Sequence, residues 1–155
     1  MNTAKYAEDL GAPDFKLAGL QVWIHGRQFP DADDYWDGNW LNVTARCSSS
    51  GADVLTSGPI LHAPDLTRWL AALEEMGRTL SGGADLVSLE PELSVEMKME
   101  TLGHVAVKVE ITPDHMTQEH TFRFEVDQSY LKPLIEDCRR VVAKYPVKGK
   151  LDSEQ

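Results

Sequence analysis

Hydrophobic and polar residues alternate most regularly between Leu93 and Val126. Leu93, Val95, Met97 and Met99 are interleaved with Ser94, Glu96, Lys98 and Glu100. Val105, Val107, Val109 and Ile111 are interleaved with Ala106, Lys108, Glu110 and Thr112, and Phe122, Phe124 and Val126 with Thr121, Arg123 and Glu125. A period of two with one apolar face predicts three half-buried antiparallel strands. Residues directly opposite in such a pair share a face, so apolar positions must meet apolar positions. For the first hairpin the shortest solution sets Met99 against Val105 and Met97 against Val107, closed by Thr101, Leu102 and Gly103. For the second it sets Ile111 against Phe122 and Val109 against Phe124, with a polar connection from Pro113 to His120. On the outer face this places Glu96 against Lys108, Lys108 against Glu125, and Glu110 against Arg123. Exposed pairs of this kind contribute only roughly 0.2 to 1 kcal/mol each.

The remaining elements follow in chain order. Phe15 and Leu17 alternate with Lys16, Gly19 interrupts, and Leu20, Val22 and Ile24 resume the period, which predicts one bent strand or two short ones. Leu41, Val43, Ala45 and Cys47 form an apolar face opposite Asn42, Thr44 and Arg46, and Asp53 to Leu61 reads as a strand broken at Gly58-Pro59. The period then changes. Leu66, Trp69, Leu70, Leu73, Met76 and Leu80 follow helical spacing, opened by Pro64 and Asp65 and stopped by Ser81, Gly82 and Gly83. Ala84 to Leu89 returns to strand. Leu131, Leu134, Ile135, Cys138, Val141, Val142 and Tyr145 form the stripe of a second helix, capped by Asp127 or Ser129 and ended by Pro146. The reading is an α+β domain with an antiparallel β-sheet, as a single meander or in two layers, and two α-helices in the order β-β-β-β-α-β-β-β-β-α. The helices 64–80 and 129–145 cover the apolar face of the sheet. One domain spans residues 1–155, with mobile termini at 1–14 and 148–155.

Charge narrows the classes of partner. The net charge is −10. It is unevenly spread: from Ala84 to Val126 nine acidic residues face three Lys/Arg, whereas from Asp127 to Lys150 three face six. Such a balance argues against nucleic acid and against an anionic membrane, and it suits a basic protein partner. Self-association into a homo-oligomer is left open. Residues 1–14 lack the basic start and apolar run of a signal peptide, and no segment approaches the ~20 apolar residues that cross a bilayer, so a cytoplasmic location is expected.

Candidate chemistry is sparse. Asp31, Asp33, Asp34 and Asp37 lie within one short loop with Tyr35 and Trp36. Read as a calcium loop from Asp31, it places Tyr35 and Trp36 where a ligand and the obligatory glycine belong; read from Asp33, it places Thr44 where a bidentate Glu is needed. His115 and His120 have neither zincin spacing nor a helix. Ser48 to Gly51 lacks the strand-elbow-helix context of a nucleophile, and Ser81 to Gly83 follows a helix instead of opening one. Cys47 and Cys138 each lie on an apolar face and read as buried thiols. No catalytic residue, metal or cofactor is implied. Aromatic rings among carboxylates do combine a desolvatable anchor with long-range attraction for a cation. The candidate partner-binding residues are therefore Asp31, Asp33, Asp34, Tyr35, Trp36 and Asp37, with Glu96, Glu110 and Glu125 on the sheet face.

Several segments resemble the WapI-type bacterial immunity proteins: Trp40 to Thr44, the helix Leu66 to Leu80, Gly83 to Leu86, Leu89 to Leu93, Gly103 to Val107 and above all Phe124 to Leu131. The resemblance covers roughly Trp40 to Tyr145. It implies a non-enzymatic protein that binds and neutralises the nuclease-type toxin domain of its own cell. The acidic loop Asp31 to Gly38 and the longer basic tail depart from the family pattern, and no binding residue is carried over. The competing reading is a small enzyme or ligand-binding protein with a cleft near Asp31–Trp40.

Overall fold

The computed structural model of the protein describes residues 3–151. A short helix, α1 (Thr3–Asp9), precedes four strands: β1 (Phe15–Leu17), β2 (Leu20–Arg27), β3 (Trp40–Ser49) and β4 (Ala52–His62). Helix α2 (Ala63–Thr79) leads to β5 (Gly83–Leu86), β6 (Leu93–Met99), β7 (His104–Ile111) and β8 (Thr121–Asp127), and α3 (Leu131–Lys144) follows. The strands form two antiparallel meanders, β1-β2-β3-β4 and β5-β6-β7-β8. The α+β class and the predicted element order both hold, with α1 as an addition.

The two sheets cover each other's apolar faces, β3 and β4 lying against β7, so the helices do not blanket a single sheet. Helix α2 packs on β4, β5 and α3, and α3 packs on β1. Leu17, Leu20, Val43, Leu61, Leu73, Met97, Val107 and Leu134 belong to one continuous core. Trp69 is fully buried at its centre with its ring 5.5 Å from that of Phe15, as the helical stripe requires.

The first hairpin of the second sheet has the derived register, Met97 opposite Val107 and Met99 opposite Val105. The second does not. Val109 faces Phe122, Val107 faces Phe124 and Val105 faces Val126, two residues away from the expected pairing. A shift of two keeps every side chain on its face, so alternation cannot detect it. The observed register pairs seven residues of β7 with all of β8 and lets Ile111 N–H reach His120 O. The connection can be this tight because Asp114 folds it, accepting from the N–H of Met116, Thr117 and Gln118. Two of the three expected charge pairs are lost. Lys108 lies opposite Arg123 and Glu110 opposite Thr121, while Glu96 opposite Lys108 stands.

Other differences are local. Strand β4 is continuous through Gly58-Pro59, because a bulge at Ile60 absorbs the irregularity. Beyond Leu86 the chain leaves the sheet, exposing Val87 and Leu89 where a strand was expected. Leu80, with φ of 53°, ends α2 in the left-handed conformation instead of the glycines after it, and its N–H returns to Met76 O. Asp127 caps a single 3-10 turn (Gln128–Tyr130), so regular α3 begins at Leu131.

Of the termini expected to be mobile, residues 1–2 and 152–155 lie outside the described residues. Within them α1 is helical with Ala7 buried, and Trp23, buried on the outer face of β2, donates its indole N–H to Gly11 O at 3.1 Å. Lys148 is tied to the body of the protein through Asn39.

Candidate functional site

Two bulges re-aim one end of the first sheet. His25 is the extra residue of β2 and Ile60 that of β4, and both flank Asn42 of β3. Beyond them Arg27, Asn39 and His62 converge beneath the loop carrying Asp31 to Asp37. Asn39 is fully buried and uses its whole amide. Its Nδ2 donates to Tyr35 O at 2.7 Å and Lys148 O at 2.9 Å, and its Oδ1 accepts from Lys148 N at 2.8 Å and Arg27 Nη1 at 3.2 Å. Arg27 also donates to Gly38 O and Pro146 O, and Lys148 Nζ to Pro30 O and Ala32 O. The segment 146–149 is thus a strap across the loop. Gly149, with φ of +64°, crosses so closely that a Cβ there would lie 2.7 Å from Tyr35 N. A loop of this composition would ordinarily be soft; here it is fixed from below by backbone-directed hydrogen bonds.

On this platform the aromatic residues stack. His62, almost completely buried, directs Nε2 at the carbonyl oxygens of Tyr35 and Trp36, 3.1 Å from each, so Nε2 carries the proton and donates. Trp36 stacks on the His62 ring at 5.6 Å and 17°, Tyr35 meets both edge-on, and Trp40 lies 4.7 Å from His62. Tyr35 is half-buried, whereas Trp36 is 50 % exposed. The loop therefore folds one ring inward and presents the other. Around them Asp31, Asp33, Asp34 and Asp37 are exposed; Asp34 Oδ2 accepts from Asp37 N at 2.9 Å, and Lys148 Nζ approaches Asp33 no closer than 4.0 Å.

Beside Trp36 runs a groove of about 530 Å³ lined by Tyr35, Trp36, His62, Asp65, Arg68 and Asp85, with Val87, Ser88 and Leu89 on its far wall. Ser88 fixes that wall by donating its hydroxyl to Ile60 O. Asp65, in the first turn of α2, is 8 % exposed, and burial raises its carboxyl above the usual range, with Arg68 and His62 opposing that shift.

Glu96, Glu110 and Glu125 are placed differently. They lie on the outer face of the second sheet. Lys108 Nζ stands 2.8 Å from Glu96 and 3.2 Å from Glu110, and the two carboxylates hold its pKa above the usual lysine range. His104 Nδ1 lies 3.1 Å from Glu125. Asp85 joins the two regions, since it lines the groove and sits opposite Glu96 in the sheet. The sequence singled out the acidic loop and Trp36 as candidates, but not His62, Asp65 and Arg68, which the fold brings beside them. The available signal was His62 and Asp65 flanking Pro64 at a strand-to-helix junction.

Burial pushes the Cys47 and Cys138 thiols up to about 12, so both stay protonated at neutral pH. Among the described residues no three His, Cys, Asp or Glu side chains converge as a metal site, and no helix is long and apolar enough to cross a membrane. The model of the WapI-like immunity protein family matches residues 14–146. The chain belongs to that family. Comparison with curated proteins and with solved structures gave no match. Membership in the WapI-like family points to an immunity function and to a toxin as the general class of partner. The matched span takes in the acidic loop, the groove and the outer sheet face, and it stops at Pro146, where the strap begins.

Proposed function

We propose that this protein is a non-enzymatic immunity protein that binds a cognate toxin domain, of nuclease type, and that the acidic loop and its groove are the surface that meets it. The observation that carries this reading is Trp36. Half of its surface faces solvent although its backbone is held by His62 and its neighbours by Asn39 and the strap. A large aromatic group on a rigid mount loses little conformational freedom on binding, which is why such residues become hot spots. The carboxylates of Asp31, Asp33, Asp34 and Asp37 add attraction for a basic surface, and a nuclease domain, which must hold a polyanion, offers one. Blocking that surface requires no chemistry from the immunity protein. The groove does not favour the enzymatic alternative, since the His62 ring is almost completely buried and its Nε2–H is committed to two carbonyl groups as a structural donor.

The test is co-expression in a heterologous host with a nuclease-type toxin domain identified by its gene lying next to this one in the native genome. Growth should be rescued by the native protein and lost when Trp36→Ala is combined with Asn at positions 31, 33, 34 and 37, provided the variant folds. Full rescue by that folded variant would refute the surface. Absence of rescue by the native protein would refute the function.

A further inference from the structure

The groove beside Trp36 contains one feature that a passive hydrophobic seat does not need. Asp65 has a side chain only 9 % exposed. Its Oδ1 is bonded to Arg68, while its Oδ2 is buried without any hydrogen-bond partner. A buried carboxylate oxygen left unpaired is costly, and native structures keep such groups when something else satisfies them. Arg68 does not complete the site. Its side chain is 66 % exposed and tethered at the tip, so exchanging it for another donor disturbs no core contact.

The wall next to Asp65 is aromatic. Trp36 lies nearly parallel to the buried His62 ring, with its outer surface turned to solvent and Tyr35 closing the edge. A flat cation fits this combination better than a spherical one, because it can lie on the indole face while donating in-plane to a carboxylate. Asp85 adds a second carboxylate to the lining, and the aliphatic groups of Val87 and Leu89 suit the methylene stem of a long side chain. Resting on the immunity reading above, we infer that the groove is a receptor for one arginine side chain of the toxin, its guanidinium stacked on Trp36 and paired with Asp65. In the free protein Arg68 acts as the intramolecular stand-in for that arginine.

The inference can be tested without the toxin. L-argininamide is titrated into isotopically labelled protein while the indole N–H of Trp36 and the ring signals of His62 are followed by NMR, with L-citrullinamide as the uncharged isostere. Argininamide should shift both residues saturably in the millimolar range, and citrullinamide should not. Asp65→Asn should weaken the response by about tenfold or more. Arg68→Ala, which removes the competing guanidinium and leaves Asp65 in place, should strengthen it, and this variant decides the matter if Asp65→Asn does not fold. A response that does not saturate, or equal responses to the two amides, would overturn the inference. So would an Arg68→Ala variant that binds no better than the parent. A failed titration beside a toxin complex that forms normally removes the pocket and leaves the immunity reading intact. A specific titration with no toxin captured removes the reading and leaves the pocket.

Discussion

The acidic loop and the outer face of the second sheet carry similar carboxylates in opposite circumstances. On the sheet, Glu96 and Glu110 share Lys108, and the row across the strands runs Asp85, Glu96, Lys108, Arg123, acidic at one edge and basic at the other. Its charge is largely compensated within the protein. In the loop, among the described residues, the cation that comes near a carboxylate is Lys148, whose Nζ is directed at two carbonyl oxygens and stands 4.0 Å from Asp33. Among the described residues Asp31 and Asp37 accept no side-chain hydrogen bond. Acidity alone therefore does not mark a binding surface; uncompensated acidity around an exposed, immobilised aromatic does so far better. The sheet face pairs its carboxylates with its own lysine, and the loop is held still by hydrogen bonds while its carboxylates stay exposed.

The largest effect is expected in the core that both regions share. Trp69→Ala should cost roughly 3–5 kcal/mol of stability, because a fully buried ring that packs on Phe15 leaves a cavity no neighbour can fill. Chemical denaturation measures it, and an unchanged midpoint would show that the two sheets do not depend on this contact. Next comes Trp36→Ala, which should weaken toxin binding by roughly 2–4 kcal/mol through faster dissociation while the melting temperature stays close to that of the parent. Surface plasmon resonance separates the rates. A large loss of stability instead would mean that the ring serves the fold.

Asn39→Ala isolates the mounting of the loop. Removal of the amide leaves Tyr35 O and the backbone of Lys148 without their partner, at a cost of about 1–3 kcal/mol, and hydrogen exchange should accelerate in the loop before it does in β6 or β7. Uniform acceleration throughout the protein would erase the distinction between a held loop and a self-sufficient sheet. The smallest effects separate the two sets of charges. Asn at positions 31, 33, 34 and 37 should slow association on the order of tenfold at low salt, and less at high salt. Gln at positions 96 and 110 should leave the association rate nearly unchanged, because Lys108 already offsets those carboxylates. Equal slowing by both sets would extend the binding surface across the sheet by way of Asp85.

Much of the fold was legible in the order of residues. Alternation placed the strands, with β1 and β2 read as one bent strand or two short ones, and the helical stripe placed Trp69, because a period of 2 or 3.6 is a property of the local chain and needs no partner. The failures share a cause. A two-residue slip between β7 and β8 preserves every face, and only the turn held by Asp114 selects among the registers. Val87 and Leu89 look like strand positions, yet they leave the sheet where Ser88 bonds to β4.

The sequence by itself determined the α+β class, the element order, the identity of the core faces and the presence of an acidic aromatic loop, since each of these depends on neighbours within a few residues. Only the tertiary structure decided which carboxylates are compensated, that the C-terminal strap immobilises the loop, and that His62 and Asp65 stand beside Trp36. The last two depend on residues more than 25 positions apart in the chain meeting in space, as Asn39 does with Lys148 and His62 with Trp36. No local periodicity records such meetings, because they are set by where bulges turn the strands and where two sheets close on one core.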